Sequence, residues 1–415
     1  MTFKKLSPFY FIALLILGLM SLMLVFPAEV FRASIRGVGI WWDVLFPALF
    51  PFFVISELML GVGIVHFFGT LLDPMMRPVF RIPGIGGFVV AMGFASGYPV
   101  GAKLTAQLWD QKLVNREEGE RLVSFTTSSD PIFLIGAVSV GFFHDASLAG
   151  ILAAAHYGSA MLLGLMMRYH GRKQPATPAL AADATSAGPA ASIWVRAFDA
   201  MHEARMKDGR ALGEMLRMAV ASSLQLIFVV GGLVVFFSAV MEVLTSAHIM
   251  NIFYIGINAV LQLFDVPVSL TQAVANGFFE VTLGAKAAGG AGSQIPLVYK
   301  VAIAAFVLSW AGLSVHAQVV SLLHRTNLRY IPFITARLLH GLMAFAAVFV
   351  LWEPLQPYRG TVAAFIPAID VESPLTTLWR YSLPWGITAF SSVIVVLILL
   401  FLLHFVVKQC MKRFV

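Results

Sequence analysis

Two short stretches of this 415-residue chain hold polar and ionisable residues where apolar sequence surrounds them. The first is Gly93-Phe94-Ala95-Ser96-Gly97-Tyr98-Pro99-Val100-Gly101-Ala102-Lys103; the second is Gly277-Phe278-Phe279-Glu280-Val281-Thr282-Leu283-Gly284-Ala285-Lys286. Both open on Gly-Phe and close on Gly-Ala-Lys. A lysine at the centre of a membrane helix costs roughly 2.5 to 3.5 kcal/mol on insertion scales, so Lys103 and Lys286 each need a partner, an interface to snorkel to, or a function. The functional reading is a cationic site for an anionic solute, assisted by helix N-termini. Tyr98 stands beside the first break. Glu280, inside the second stretch, either neutralises Lys286 as an internal ion pair or binds a coupling proton or cation.

Downstream of each stretch, an apolar helix carries polar residues in its middle. In the first half these are Thr126-Thr127-Ser128-Ser129-Asp130-Pro131, where Pro131 removes a backbone donor and hydroxyls surround the break. In the second half they are Ser309-Trp310-Ala311-Gly312-Leu313-Ser314-Val315-His316-Ala317-Gln318. Hydroxyl, carboxylate, imidazole and amide groups from Thr127, Ser128, Ser129, Asp130, Ser314, His316 and Gln318 could then share one cavity. Interhelical hydrogen bonding is the plainer role for the Ser and Thr residues; Asp130 and His316 are harder to explain that way, because an ionisable group facing lipid is expensive.

Other chemistries find little support. The histidines show no His-Glu-x-x-His spacing, so no metal site or cofactor is expected. Cys410 is the chain's single cysteine, which rules out an intramolecular disulfide and a cysteine-based zinc site. Ser96 with His316 superficially resembles the dyad of intramembrane serine proteases, but Phe94 stands where those enzymes place glycine, and the chain is not read as an enzyme.

The elements that must position these residues lie in lipid. With 59% hydrophobic residues, 12% charged residues and a mean hydropathy of +0.86, the chain has too little polar surface for a soluble globule. Candidate spans are residues 8–28, 45–71, 122–143, 148–167, 218–240, 298–323, 336–351 and 384–407. Residues 84–108 and 268–288 are apolar but interrupted by glycines, and such backbone survives at membrane depth only packed in protein or lining a cavity. The predicted fold is therefore an all-α polytopic membrane protein with about eight transmembrane helices and two re-entrant or broken-helix hairpins. Residues 250–264 are either a further span or an interfacial helix, and an eight-span scheme needs the latter.

The formal charge of +7 sits between and beside the spans, not in a groove-sized patch with aromatics, so no nucleic-acid partner is expected. Lys4, Lys5, Arg77, Arg81, Lys112, Arg116, Arg121, Arg325, Arg329, Lys408, Lys412 and Arg413 fall on one side and are expected to be cytoplasmic, with both termini. Residues 1–40 are then an uncleaved anchor helix and an amphipathic connection, 41–170 a first repeat, 171–208 a cytoplasmic Ala/Pro-rich linker and 209–351 a second repeat. Residues 352–381 form an extracytoplasmic loop, and 382–415 a last helix with a basic tail. On this topology the span before the first glycine-rich stretch runs outside-in and the one before the second inside-out. That makes the repeats inverted, as in many secondary transporters whose solute binds at the midplane between matching helix breaks.

At Leu45-Phe46-Pro47-Ala48-Leu49-Phe50-Pro51-Phe52-Phe53, at Gly93 to Lys103 and at Leu308 to Gln318 the sequence closely resembles the YlbJ family of sporulation integral membrane proteins. These carry the nucleoside-recognition or Gate domain shared with concentrative nucleoside transporters. The resemblance covers about residues 40 to 350. It implies a permease in endospore formation, moving dipicolinate, a small aromatic dicarboxylate, across the outer forespore membrane. A dianion suits Lys103 and Lys286 better than an uncharged nucleoside does. One departure is that the family's Asn-rich run before the mid-helix proline is replaced here by Thr127, Ser128, Ser129 and Asp130. Oligomeric state, coupling ion and transport direction are not legible, although a homo-oligomer is compatible with the sequence.

Overall fold

The computed structural model describes residues 8–131, 133–177 and 192–359. The expected last span, the basic tail and most of the preceding loop lie outside the described residues. Every regular element among the described residues is helical, and the chain is an all-α polytopic membrane protein.

Helix α1 (Pro8–Val25) is apolar on all sides. It stops short of the expected end because Pro27 opens a new helix, α2 (Pro27–Gly39), after a 99° bend. Helix α2 lays Ala33 and Gly37 against the long helix α10 (Leu212–Ser246), and an ideal Cβ at Gly37 would stand 2.9 Å from the Val235 Cα. The expected span 45–71 is not one rod. It divides into α3 (Phe46–Val62) and α4 (Ile64–Phe80) with a 79° bend at Gly63, whose φ of 87° is open to glycine.

The first hairpin is α5 (Gly86–Ser96) and α6 (Tyr98–Asp110), broken at Gly97 with φ 86°. Next comes α7 (Arg116–Thr126), started by an Asn115–Glu118 capping box. The expected continuous span 122–143 ends with α7, since the backbone is extended at Thr127 and Pro131 offers no N–H. It resumes as a π-helical stretch, Phe133–Phe142, before α8 (Ala149–Met167). The start of the linker is strapped to α7, where Thr177 donates its N–H to Glu118 at 3.0 Å. Its end is not loose chain: residues after Ser192 form α9 (Ile193–Asp208), which packs along α4 and wedges into the Gly63 bend.

After α10, helix α11 (Met250–Leu263) has 14 residues, about 21 Å, too short for a 30 Å core, as an interfacial helix would be. The second hairpin is α12 (Thr271–Phe279) and α13 (Val281–Gly289), with Glu280 extended at the break. The expected span 298–323 is likewise two helices, α14 (Leu297–Trp310) and α15 (Gly312–Leu323), separated by Ala311 at φ 74°. Helix α16 (Tyr330–Leu355) closes the described part and begins earlier than the expected residue 336. By length and composition four described helices can cross a membrane, or six if each bent pair counts as one, against the eight spans expected for the whole chain.

The two halves match element by element. The shift that carries Lys103 onto Lys286 also carries α4 onto α11, α7 onto α14 and α8 onto α16. Contacts are exchanged in the same sense: α6 packs on α15 while α13 packs on the π-helical stretch, and α8 packs on α14 while α16 packs on α7. Such reciprocal pairing is what a pseudo-twofold axis produces.

Candidate functional site

Both hairpin breaks and both helix breaks meet at one place. A small, partly open cleft is lined by Tyr98 and Pro99 after the first hairpin break, and by Asp130 and Phe133 at the break beyond α7. Glu280, Val281 and Thr282 line it from the second hairpin break, and Val315 and Gln318 from α15. Val230 and Val234 of α10 and Leu45 complete the wall.

The tips fit against the breaks through glycine. An ideal Cβ on Gly97 would stand 3.0 Å from Asp130 Oδ2, and one on Gly312 3.1 Å from the Glu280 Cα. Each approach needs a bare backbone on one side. Glu280, 2% exposed, caps α13 by accepting the Leu283 N–H at 2.8 Å. Asp130 Oδ1 accepts the Phe133 N–H at 2.8 Å. The Tyr98 hydroxyl donates to the Leu308 carbonyl at 2.7 Å, tying the first hairpin to α14.

Of the residues singled out in the sequence, Tyr98, Asp130, Glu280 and Gln318 line the cleft. Thr127, Ser128 and Ser129 are fully buried beside it and belong to a hydrogen-bond network behind its wall. His316 is buried on α15 but turned to the aromatic side: its ring lies 4.4 Å from that of Trp310 and shares hydrogen bonds with the Tyr330 hydroxyl at 2.7 Å and the Trp310 carbonyl at 3.1 Å. Ser314 is buried nearby.

The two lysines are not brought together. Lys103 is ion-paired with Glu57 of α3 and donates to Ser222 of α10 at 3.1 Å, while Gln107, one turn on, donates to Glu57 at 3.1 Å. Lys286 is exposed in the last turn of α13 and, among the described residues, has no carboxylate partner. The internal Glu280–Lys286 pair is therefore not formed: across the six-residue step the cap turns Glu280 back to the helix start while Lys286 points outward from its end.

The network behind the cleft is built from residues the sequence reading passed over. Arg337, wholly buried on α16, donates to the carbonyls of Thr127 and Ser124 at the end of α7, and to the Ser309 carbonyl at 3.4 Å near the end of α14. Thr127 O is an orphan because the residue four positions on is Pro131. One guanidinium thus serves carbonyls at the breaks of both repeats. His156 of α8 accepts the Ser129 N–H on Nε2 at 3.1 Å, which places its proton on Nδ1, 2.8 Å from Ser309 Oγ. Ser128 Oγ completes the Nε2 contacts at 2.8 Å, and His340, one turn after Arg337, pairs with the His156 carbonyl at 2.9 Å. The available signal was an arginine and two histidines inside otherwise apolar runs.

At the end of the bundle carrying the start of α7, Arg329 and His170 converge on Glu120, with Arg329 Nη2 at 2.7 Å and His170 Nε2 at 2.6 Å. Burial pushes this carboxyl upward, but hydrogen bonds from the Arg329 side chain and backbone and from His170 outweigh it and hold it below the usual range.

Paired broken helices enclosing a polar cleft belong here to a multi-pass membrane protein, and the family model described as nucleoside recognition (Gate) matches residues 43–153. The chain is 44% identical over 344 residues to the sporulation integral membrane protein YlbJ of Bacillus subtilis, covering 83% of each chain. It belongs to the YlbJ family of sporulation integral membrane proteins. An uncharacterized protein of Alkalihalophilus pseudofirmus is 25% identical over 152 residues, 33% of this chain and 32% of that protein. No solved structure matches.

Proposed function

We propose that this protein is a permease that moves a small anionic solute, dipicolinate on the family resemblance, across the outer forespore membrane by alternating access of its two repeats. The observation that carries the reading is the cleft bounded by the breaks of both hairpins and both broken helices. A solute held there touches every element that a change of access has to move. The first turns of α6 and α13 open at the cleft, so their N-terminal dipoles favour negative charge. The aromatic and aliphatic wall of Phe133, Val230, Val281 and Val315 suits a flat ring. Lys103 and Lys286 have no place in this scheme as direct ligands, since neither lines the cleft.

A nucleoside or another uncharged polar solute is the second reading, favoured by the two carboxylates, Asp130 and Glu280, among the lining groups. Purified protein in liposomes tests both through uptake of labelled dipicolinate and of labelled uridine and adenosine. Dipicolinate flux supports the first reading and nucleoside flux the second. Flux of neither leaves a membrane scaffold for spore maturation and sinks the permease proposal.

A further inference from the structure

The cleft contains a carboxyl group whose ionised form the proposed solute cannot tolerate. Glu280 is buried at the tip of the second hairpin, lines the cleft, and is held by the Leu283 N–H and by Thr282. The groups that face it from the surrounding elements are Gln318 of α15, the valines of α10, and Tyr98 and Asp130 of the first repeat. Arg337 stands behind the wall, occupied with three carbonyls, and Lys286 points to the outside. Each further carboxylate brought into one small site raises the affinity of the others for protons. An entering dicarboxylate therefore needs positive charge to accompany it. The smallest such charge is a proton, which the Glu280 carboxylate takes directly on an oxygen without further ligands.

We infer that Glu280 takes up a proton when the anionic solute enters the cleft, so that each solute crosses together with a proton. The inference rests on the anionic-solute reading above. Ionised, Glu280 accepts the first N–H bonds of α13 and fixes the hairpin tip against Gly312. Protonated, it is a weaker acceptor, so the same event that admits the anion loosens the tip that has to move. Loading from one side and release to the other return the carboxylate to its starting state, and each cycle carries one proton with one dianion, a net charge of −1 that makes transport sensitive to membrane potential.

The test uses the full-length protein in liposomes with the membrane potential clamped, labelled pyridine-2,6-dicarboxylate as probe and an imposed pH difference. One proton per solute gives about tenfold accumulation per unit of pH difference. A pH-sensitive dye should report proton entry when the dicarboxylate is added to wild type, a measurement that needs no variant. Glu280→Gln should abolish gradient-driven accumulation, and Glu280→Asp should retain it. Dicarboxylate flux that ignores the pH difference, or that follows sodium instead, overturns the inference while leaving the permease reading intact. So does unaltered pH coupling in Glu280→Gln. Absence of dicarboxylate flux in wild type removes both.

Discussion

Arg337 offers the sharpest test of the architecture, because one side chain closes the hydrogen-bonding deficit of two helix breaks. Replacing it with Met keeps the volume and removes the donors. The Thr127 and Ser124 carbonyls then lie buried without them, and each orphaned group costs about 1–3 kcal/mol. Against this loss of about 2–6 kcal/mol stands relief from burying a guanidinium with no carboxylate beside it, which itself costs several kcal/mol. With the first term at its upper end, since both carbonyls are wholly enclosed, the expected net effect of Arg337→Met is a loss of about 1–3 kcal/mol. Arg337→Lys should fall between, since an ammonium keeps the charge but cannot span carbonyls on separate helices. Thermal unfolding in detergent micelles reads the order Arg, then Lys, then Met. The cause is checked by Pro131→Ala, which returns an N–H four residues after Thr127. In that background Arg337→Met should cost less by about 1 kcal/mol. Wild-type stability in Arg337→Met, or strict additivity with Pro131→Ala, would refute the account.

Four further outcomes follow from the same geometry. Lys103→Gln strands Glu57, 15% exposed at its side chain, and should lower stability by about 3 kcal/mol. The Glu57→Gln/Lys103→Gln double variant should lose less, and the exposed Lys286→Gln should leave membrane abundance and melting unchanged. Gly97→Ala forces a side chain into φ 86° with extended ψ, a region almost confined to glycine, and against Asp130, and should reduce uptake and melting temperature together, by about 1–3 kcal/mol for the backbone alone. Glu120, whose carboxyl is held below its ordinary range, adds stability at neutral pH that is lost as pH falls through its depressed folded value. Glu120→Gln should therefore flatten the acid limb of a stability profile in micelles. A reporter inserted within residues 178–191 should be cytoplasmic and one within 356–372 extracytoplasmic; a linker found outside would contradict the inverted arrangement.

How far the sequence discloses this site depends on whether the cause is local. Gly97 followed by Pro99, and Thr127 to Pro131, announce their breaks because glycine, proline and clustered hydroxyls act on their own backbone. The bend at Gly63 is hidden, since glycine is common in membrane helices and the bend is held by α9, whose Met201 carbonyl lies 2.5 Å from an ideal Cβ there. The Ala311 break is hidden for the opposite reason: alanine favours helix, and its φ of 74° is imposed by the hairpin tip packed on Gly312. Lys103 is conspicuous in the sequence, but its pairing with Glu57 spans two helices and is invisible to any local pattern. The Gly-Ala-Lys repeat marks equivalent backbone but not equivalent chemistry, because among the described residues no acid faces Lys286 as Glu57 faces Lys103.

That divergence extends to the cleft itself. In the first repeat the hairpin tip is glycine and the carboxylate comes from the broken helix, as Gly97 against Asp130. In the second the tip carries the carboxylate and the broken helix the glycine, as Glu280 against Gly312. In the first contact the Asp130 carboxylate takes the space that a Cβ on Gly97 would need, and in the second the backbone of Phe279 and Glu280 takes that of one on Gly312. The pseudo-twofold axis preserves this complementarity while exchanging its sides. One acid therefore rides on a hairpin tip and the other on the strut that receives the opposite tip. A rearrangement of the two hairpins relative to the broken helices carries Glu280 with the moving part and leaves Asp130 behind. The two halves thus share a backbone plan yet differ in which element bears the carboxylate, and on the proposed mechanism that difference gives Glu280 a role that Asp130 cannot duplicate.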